Sequence, residues 1–298
     1  MRILALFLML TAGALAQAVG ASVATNLPAG RCIITPFASA PFPDASRAQG
    51  HKYHEEFYSA ATNYSDSTVA LFIPLGFQPH RRVDFVVHFH GWRHTVAQTL
   101  KEYHLPELFA ASGRNAILIV PQGPYNAPDS GGGKLEATNG FQRFMDEAIT
   151  TLKKNGVCPA DAVVGDIILS GHSGGYQVMA RILDRGGLTD HIREVWLFDA
   201  LYAFREDFLA WADGGPHRLL DIYTDHGGTK DESESLMATL RQRGRPLLAT
   251  NDVAVTPEEL ATNHYVFLHS DLAHDEVIAK RKMFQQFLET SCLPPAKP

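Results

Sequence analysis

One serine of this sequence lies in a pattern that favours covalent chemistry. Residues 171–175 read Gly-His-Ser-Gly-Gly, which matches G-x-S-x-G and has Ser173 at its centre. Residues 166–170 have the apolar character of a strand, and residues 176–183 that of a helix. A sharp strand-to-helix turn holds a serine hydroxyl above the helix start, and glycines avoid collisions with neighbouring elements. The pattern therefore predicts a nucleophilic serine for acyl transfer.

Acyl transfer also requires hydrogen-bond donors for the oxyanion that forms during attack. The backbone N–H of Gly174, at the start of the predicted helix, is the first donor that we expect. The second is expected after an earlier strand, where residues 86–90 lead into Gly91 and Trp92. We favour the N–H of Trp92, with that of Gly91 as second choice.

Two histidines, His88 and His90, lie at the end of that earlier strand. We interpret them as structural residues that hold the loop through ring hydrogen bonds. A metal pair at this spacing is the alternative, but the sequence offers no obvious third ligand. We therefore predict no metal site.

A nucleophilic serine needs a general base, and histidine is the most frequent one. His274 fits best, because it follows the predicted strand at residues 265–268 in a short loop that leaves it free to reach Ser173. His269 is the alternative, since it lies at the end of the same strand. The histidines that follow Ser173 are His191, His217, His226, His264, His269 and His274.

The base in turn needs a carboxylate to orient it. Asp199 and Asp225 each come just after a predicted strand, and both keep the chain order Ser, Asp, His. Asp199 has apolar neighbours, among which an unpaired carboxylate would be costly, so a histidine partner would account for it. Asp225 lies in a glycine-rich stretch that also suits a simple turn. The sequence leaves the two alternatives open.

These residues need a scaffold that brings the ends of several strands together. Beyond residue 66, short apolar runs alternate with longer segments of helical period, and several runs are apolar on both faces, as in a parallel sheet covered by helices. We predict strands at residues 68–74, 83–89, 116–121, 163–170, 194–198, 219–223 and 265–268. We predict helices at residues 95–112, 140–155, 175–184, 205–212, 232–243 and 274–289.

With the glycine-flanked serine, the His90-Gly91 pair and a late histidine in this order, the chain resembles the α/β-hydrolases of the esterase and lipase type. The resemblance extends over roughly residues 66–290. It implies an α/β-hydrolase fold with a mostly parallel central sheet of about eight strands and helices on both faces. It also implies hydrolysis of a carboxylic ester through an acyl-enzyme at Ser173, without a cofactor.

We predict an open site, because only residues 200–217 separate the two strands between which members of this group usually insert a large lid. An open site favours a large, polymeric or surface-bound substrate. Residues 126–139 are either a mobile flap or a glycine-rich connection without function. Aromatic side chains either line the cleft or belong to core and rim packing. These aromatic residues are Trp92, Tyr125, Tyr176, Tyr202 and Phe204.

Two other functions fit the same residues. A peptidase or amidase acting on cell-envelope or polymeric material would use the same triad. A catalytically inactive binding module would keep the fold without reactivity, although the presence of all three residue types argues against it. The fold by itself does not select a substrate.

Composition and charge limit the partners. The chain has 298 residues, of which 45% are hydrophobic, so it can bury a large core. Its 26 Lys and Arg are outnumbered by 32 Asp and Glu, and we therefore expect no binding to nucleic acid. We predict one domain over residues 17–298 and an ester-containing substrate, small or polymeric, as the partner. The sequence does not define the oligomeric state.

The beginning of the chain has the pattern of an export signal. Residues 1–16 contain Arg2, an apolar run at residues 3–10 and the small-x-small ending Ala14-Leu15-Ala16, which predicts a cleaved signal peptide. We therefore expect a secreted or periplasmic protein with no membrane span in the mature chain. A retained membrane anchor is the alternative.

Export permits a disulfide bond among the three cysteines, Cys32, Cys158 and Cys292. Cys32 and Cys292 lie near the two ends of the mature chain and could be joined. Pairing with Cys158, or three reduced thiols, are the other possibilities.

Overall fold

One large sheet forms the centre of the structure, a computed structural model that describes residues 22–296. The strands are β1 (Val23–Leu27), β2 (Gly30–Pro36), β3 (His51–Tyr53), β4 (Glu56–Tyr58), β5 (Thr68–Pro74), β6 (Arg82–Phe89), β7 (Ile117–Pro121), β8 (Val163–His172), β9 (Ile192–Phe198), β10 (Arg218–Thr224), β11 (Leu248–Asn251) and β12 (Tyr265–Ser270). Ten of them pair in the order β1-β2-β5-β7-β6-β8-β9-β10-β12-β11, and β3 and β4 form a separate hairpin. The strands from β7 to β11 in this order run parallel, whereas β1, β2 and β5 pair antiparallel.

Helices cover both faces of this sheet, and each face has its own hydrophobic core. The helices are α1 (Ala60–Asn63), α2 (Val96–Glu102), α3 (Leu105–Ala111), α4 (Gly140–Lys154), α5 (Tyr176–Arg185), α6 (Arg205–Asp213), α7 (Lys230–Gln242), α8 (Pro257–Thr262) and α9 (Met283–Glu289). Successive side chains of a strand point to opposite faces. In β6, Phe85 and Val87 therefore pack with residues of α4 to α7, and Val86 packs with residues of α2, α3, α8 and α9.

The predicted α/β class and the mostly parallel sheet are confirmed, and all seven predicted strands are present. The sheet has ten strands, slightly more than the expected number of about eight, because β1, β2 and β11 extend it at its two edges. The side chains of β1 are mostly exposed, and those of β11 are partly or fully exposed. Edge strands of this kind lack the continuous apolar run that indicates the central strands in the sequence.

Two of the predicted helices are interrupted. The predicted helix at residues 95–112 consists of α2 and α3, since His104 has a φ of +50° and Pro106 has no backbone N–H to continue a helix. The predicted helix at residues 274–289 is a short 3₁₀ turn, His274–Glu276, followed by α9. Lys282, with a φ of +55°, separates α9 from the preceding turns.

The three cysteines have free thiols. Cys32 and Cys158 belong to the two different cores, on opposite faces of the sheet, so they cannot meet. The Cys32–Cys292 pairing is also contradicted, because Cys32 lies in β2 whereas the backbone N–H of Cys292 donates to Glu194 of β9. Five strand spacings of ~4.8 Å separate β2 from β9, far more than a disulfide can span.

The prediction of a signal peptide concerns residues 1–16, which lie outside the described residues. Within residues 22–296, the structure contains no helix with the length and apolar character that crossing a bilayer requires.

Candidate active site

Ser173 lies at the turn between β8 and α5, at the carboxyl end of the parallel strands. Its φ is +51°, a left-handed conformation that is uncommon for a residue with a side chain. Both flanking glycines are in close contact with other elements. A Cβ on Gly175 would lie 2.7 Å from the carbonyl oxygen of Phe89, and one on Gly171 would lie 2.4 Å from Met179 Sδ. This is the strained turn that the sequence pattern predicts.

His274 and Asp199 are joined by a short hydrogen bond. His274 Nδ1–H donates to Asp199 Oδ2 over 2.6 Å. His274 is in the turn after β12, and Asp199 directly follows β9 with a φ of +47°. Because the carboxyl ends of parallel strands meet at one edge of the sheet, both residues reach the edge on which Ser173 lies.

The Asp199 carboxylate is fully buried, yet it is well supplied with donors. It accepts hydrogen bonds from the Thr224 N–H at 3.2 Å, from the Thr224 hydroxyl at 2.8 Å and from the Thr229 hydroxyl. Burial by itself raises the pKa of this carboxyl group, but the hydrogen bonds from His274, Thr229 and Thr224 outweigh it and hold the pKa below its usual range. Asp199 is therefore a carboxylate, and it fixes the tautomer of His274 with the proton on Nδ1.

The alternative pair, Asp225 and His269, forms a separate contact. His269 Nε2 lies 3.1 Å from Asp225 Oδ2, and Lys230 Nζ lies 2.7 Å from Asp225 Oδ1. Asp225 is 42% exposed, whereas Asp199 is 0% exposed. The structure therefore brings His274 together with Asp199 and leaves Asp225 to surface partners.

The three candidate oxyanion residues surround Ser173. Gly91 packs directly on the serine, since a Cβ there would lie 2.7 Å from Ser173 Cβ. The indole of Trp92 covers Gly174, where a Cβ would lie 2.4 Å from Trp92 Cδ1. The backbone N–H of Trp92 has no acceptor within residues 22–296. The backbone N–H of Gly174 lies in the first turn after β8, where helical N–H groups lack intrahelical partners. Both N–H groups are thus free to donate to a ligand beside Ser173.

The glycine-rich part of the segment at residues 126–139 is anchored, whereas Asn126 and residues 137–139 are exposed. Residues 127–132 are buried. Asp129 forms an ion pair with Arg47, with Nε–Oδ2 and Nη2–Oδ1 distances of 2.6 and 2.9 Å. Gly132 has room for no side chain, because a Cβ would lie 2.2 Å from Val178 Cγ2. The segment also contacts the indole of Trp92, whose Nε1–H donates to Ser130 Oγ over 2.8 Å.

Aromatic side chains form two walls beside Ser173. On one side, the Tyr202 ring contacts that of Tyr176, and Tyr176 contacts Phe204, with centroids 5.6 and 6.0 Å apart. Burial raises the pKa of Tyr202 to about 12, and the Ser173 side chain, as a hydrogen-bonding neighbour, opposes that shift. On the other side, Trp92 is 41% exposed and packs edge-on against Tyr53 of β3 at 5.2 Å.

His88 and His90 have structural hydrogen bonds. His90 Nε2 accepts from the Gly123 N–H at 2.9 Å and from the Gln122 side chain at 3.0 Å, while His88 Nδ1 pairs with Ser170 Oγ at 2.9 Å. Burial lowers the pKa of His90 to about 4 and that of His88 to about 3, so both rings are neutral. The ring nitrogens of His90 are engaged in the loop, which favours the structural interpretation over the metal pair.

In the part of the chain that the structure describes, one other group of side chains has metal-ligand chemistry. Nitrogen and oxygen atoms of His172, His274 and Asp275 lie within 4.8 Å of one another. His172 Nε2, however, is 3.0 Å from the carbonyl oxygen of His274 and must carry a proton to bond to it. That nitrogen is therefore not a free metal ligand.

Sequence reasoning missed several residues that build this site. Thr224, Thr229 and the intervening Gly227 enclose the Asp199 carboxylate. The sequence of this stretch, Thr-Asp-His-Gly-Gly-Thr, indicates only a turn or the source of an acid. Two threonines and adjacent glycines just after a strand are the signal that could have indicated a loop wrapped around a buried anion.

The strand order and the turn at Ser173 define an α/β-hydrolase fold. Solved structures with this fold are similar to the chain at low sequence identity. A feruloyl esterase module from Clostridium thermocellum, complexed with sinapinate, has a TM-score of 0.54 and 11% identity over 89% of both chains. An S-formylglutathione hydrolase from Agrobacterium tumefaciens has a TM-score of 0.50 and 11% identity over 90% of this chain and 98% of its own. A fluorophosphonate-binding serine hydrolase from Staphylococcus aureus has a TM-score of 0.50 and 11% identity over 77% of this chain and 94% of its own. The sequence matches no protein-family model and no curated protein.

Proposed function

We propose that the chain is an exported serine hydrolase that cleaves carboxylic ester bonds. The observation that carries this proposal is the 2.6 Å hydrogen bond between His274 and the buried Asp199, at the same sheet edge as the strained turn of Ser173. Similarity in fold to an esterase module and to two other hydrolases adds support. Export is inferred from the sequence of residues 1–16 alone.

In the proposed mechanism, Ser173 Oγ attacks the ester carbonyl carbon while its proton passes to His274 Nε2. Because the Nδ1 proton of His274 is held by Asp199, Nε2 is the basic nitrogen, and the carboxylate stabilises the imidazolium that forms. The oxyanion accepts hydrogen bonds from the N–H groups of Gly174 and Trp92, with Gly91 as the alternative to Trp92.

Collapse of this intermediate breaks the ester C–O bond and releases the alcohol, which takes the proton from His274. Water then attacks the acyl-enzyme with His274 again as base, and release of the carboxylic acid restores Ser173. No cofactor enters these steps.

The surroundings of Ser173 support a substrate that is large or attached to a polymer. Only residues 200–217 separate β9 from β10, and they hold the short helix α6. The half-exposed Trp92 and the aromatic wall of Tyr176, Tyr202 and Phe204 give apolar surface on both sides of the serine.

Hydrolysis of p-nitrophenyl esters of graded acyl length tests this proposal. We expect turnover by the mature protein and none by Ser173→Ala. Asp199→Asn should lower kcat by roughly 10⁴-fold, because the amide leaves His274 in the wrong tautomer. Asp225→Asn is the matched control and should keep the wild-type kcat, since an exposed ion pair contributes only about 0–1 kcal/mol.

Other outcomes would identify the alternatives. If the wild type is inert on every ester but is labelled by a fluorophosphonate at Ser173, the substrate is of another class, and amide substrates are tested next. If Ser173 is also unlabelled, the chain is a binding module with this fold. A loss of activity in Asp225→Asn rather than in Asp199→Asn would reverse the assignment of the acid.

A further inference from the structure

His172, the residue before Ser173, contacts the loop that carries His274. His172 is 1% exposed, and its Nε2 lies 3.0 Å from the backbone carbonyl oxygen of His274. The two imidazole rings also pack together, with centroids 4.5 Å apart. The turn that holds the serine is therefore joined by a side chain to the backbone of the residue proposed as its base.

The protonation of His172 follows from its neighbours. A carbonyl oxygen only accepts hydrogen bonds, so His172 Nε2 must carry a proton. Burial, together with the neighbouring His274, lowers the pKa of His172 well below its usual value, and the ring is neutral. Nδ1 is then an acceptor, and its partner at 3.1 Å is the hydroxyl of Tyr103, which must donate to it.

The next hydrogen bond outward is fixed by the same reasoning. Tyr103 has one hydroxyl proton, which it donates to His172, so its oxygen accepts from His94 Nδ1 at 3.2 Å. The direction of each bond in the chain His94, Tyr103, His172 and the His274 carbonyl is therefore defined. Tyr103 is 2% exposed in α2's C-terminal turn, which makes it a rigid anchor for the series.

His274 needs such an anchor. Its side chain is 29% exposed, and it lies on a short 3₁₀ turn, His274–Glu276, between β12 and the following turns. The hydrogen bond to Asp199 fixes only one atom of the imidazole ring, Nδ1. The ring can still rotate about that atom when its loop moves. A hydrogen bond to the backbone of His274 supplies a second fixed point, and small displacements of a reacting group are enough to lower rates by about 100-fold.

We propose that His172 is a positioning residue for His274: it holds the His274 backbone through its Nε2–H, and Tyr103 sets the tautomer in which it can do so. This inference rests on the proposed function. A neutral ring at this position also avoids repulsion with the imidazolium that forms on His274 during attack.

The test compares single variants of the full mature chain by ester kinetics, by the rate of labelling at Ser173 by a fluorophosphonate, and by thermal unfolding. Tyr103→Phe removes only the hydroxyl that donates to His172. We expect kcat and the labelling rate to fall about tenfold with little change in KM, because the loss of a buried hydrogen bond frees His172 to take the other tautomer. Tyr265→Phe is the matched control, since it removes a similar 2.8 Å hydrogen bond to Asp213 at the opposite edge of the sheet. It should keep the wild-type kcat.

His172 itself is tested by two substitutions. His172→Leu should lower kcat by more than Tyr103→Phe does, and His172→Gln, whose amide offers both a donor and an acceptor, should recover part of that loss. If the Leu and Gln variants have equal thermal stability, the higher kcat of the Gln variant does not result from better folding. A folded His172→Leu or Tyr103→Phe protein with wild-type kcat and labelling rate would overturn this inference alone. A wild-type protein that neither hydrolyses esters nor becomes labelled would overturn the proposed function and the inference with it.

Discussion

Gly227 is the residue whose lack of a side chain matters most directly to the site. A Cβ there would lie 1.8 Å from Asp199 Oδ2, a distance at which one of the two groups must move. The backbone N–H of Gly227 also donates to Thr224 Oγ1, whose own proton goes to Asp199. The loop after β10 thus packs around the Asp199 carboxylate so closely that no side chain fits at Gly227.

Gly227→Ala should therefore displace Asp199 and misalign His274. We expect kcat to fall by about 10²-fold if His274 is only displaced, and by about 10⁴-fold if it also takes the wrong tautomer. Ester kinetics on folded protein measure this. Gly214→Ala is the control, because its nearest neighbour atom would be 3.3 Å away and it lies at the end of α6. Near-wild-type kcat in Gly227→Ala would mean that the loop moves without Asp199.

A second buried acid, Asp221, lies in β10 opposite Leu197 of β9, two residues before Asp199. Asp221 of β10 is fully buried, accepts from Ser233 Oγ over 2.6 Å, and its Oδ1 has no partner within residues 22–296. Burial raises its pKa to about 7. Between about pH 4 and pH 7 the native protein therefore binds a proton that the unfolded chain has lost, so this group makes the protein less stable as pH rises through that window. Above pH 7 the effect is constant.

Asp221→Asn should remove this dependence. The unfolding free energy of the variant minus that of the wild type should increase by about 3 kcal/mol from pH 5 to pH 8. The increase amounts to about 1.4 kcal/mol for each pH unit up to pH 7. Urea unfolding at both pH values measures the difference. Comparison with wild type cancels the opposite effect of the buried histidines, whose lowered pKa values destabilise the protein at acidic pH. A difference independent of pH would contradict the prediction.

At the scale of elements, the central strands and the turn at Ser173 were predictable, and the edges were not. Central strands such as β7 are buried on both faces, so they leave a continuous apolar run in the sequence. The edge strand β11 alternates between partial and full exposure and reads like a loop. The helix breaks at His104 and Lys282 depend on positive φ values that tertiary packing selects, and sequence periodicity does not reveal them.

The choice between Asp199 and Asp225 was beyond the sequence for a similar reason. Both residues follow a strand, and each has a histidine close to it in the structure. Asp199 differs from Asp225 because it is buried. It also accepts hydrogen bonds from Thr224 and Thr229, which belong to a different strand and the loop after it. Such contacts across the sheet arise from the fold and not from local spacing.

At the scale of the whole molecule, the sheet divides the interior into two cores, and this division decides the state of the cysteines. Cys32 and Cys158 lie in different cores, and Cys292 lies at β9, far across the sheet from β2. We expect three thiols when the protein is unfolded in guanidinium without reductant and titrated with a thiol reagent. A reduced sample is the control, and a count of one thiol would reveal a disulfide that this fold does not accommodate.

The anchored segment at residues 127–132 depends on residues far away along the chain. Arg47, in the 3₁₀ turn Ala45–Arg47, holds Asp129, and Ser130 beside it holds the indole that covers Gly174. His274, by contrast, follows β12, which is the last strand in chain order within residues 22–296. During synthesis, therefore, Ser173 emerges after Trp92 and Ser130 but before Asp199 and His274. Until His274 has been made and β12 has joined the sheet, a nascent chain therefore carries Ser173 without the base proposed to activate it, so the proposed activity depends on β12 and on the loop that follows it.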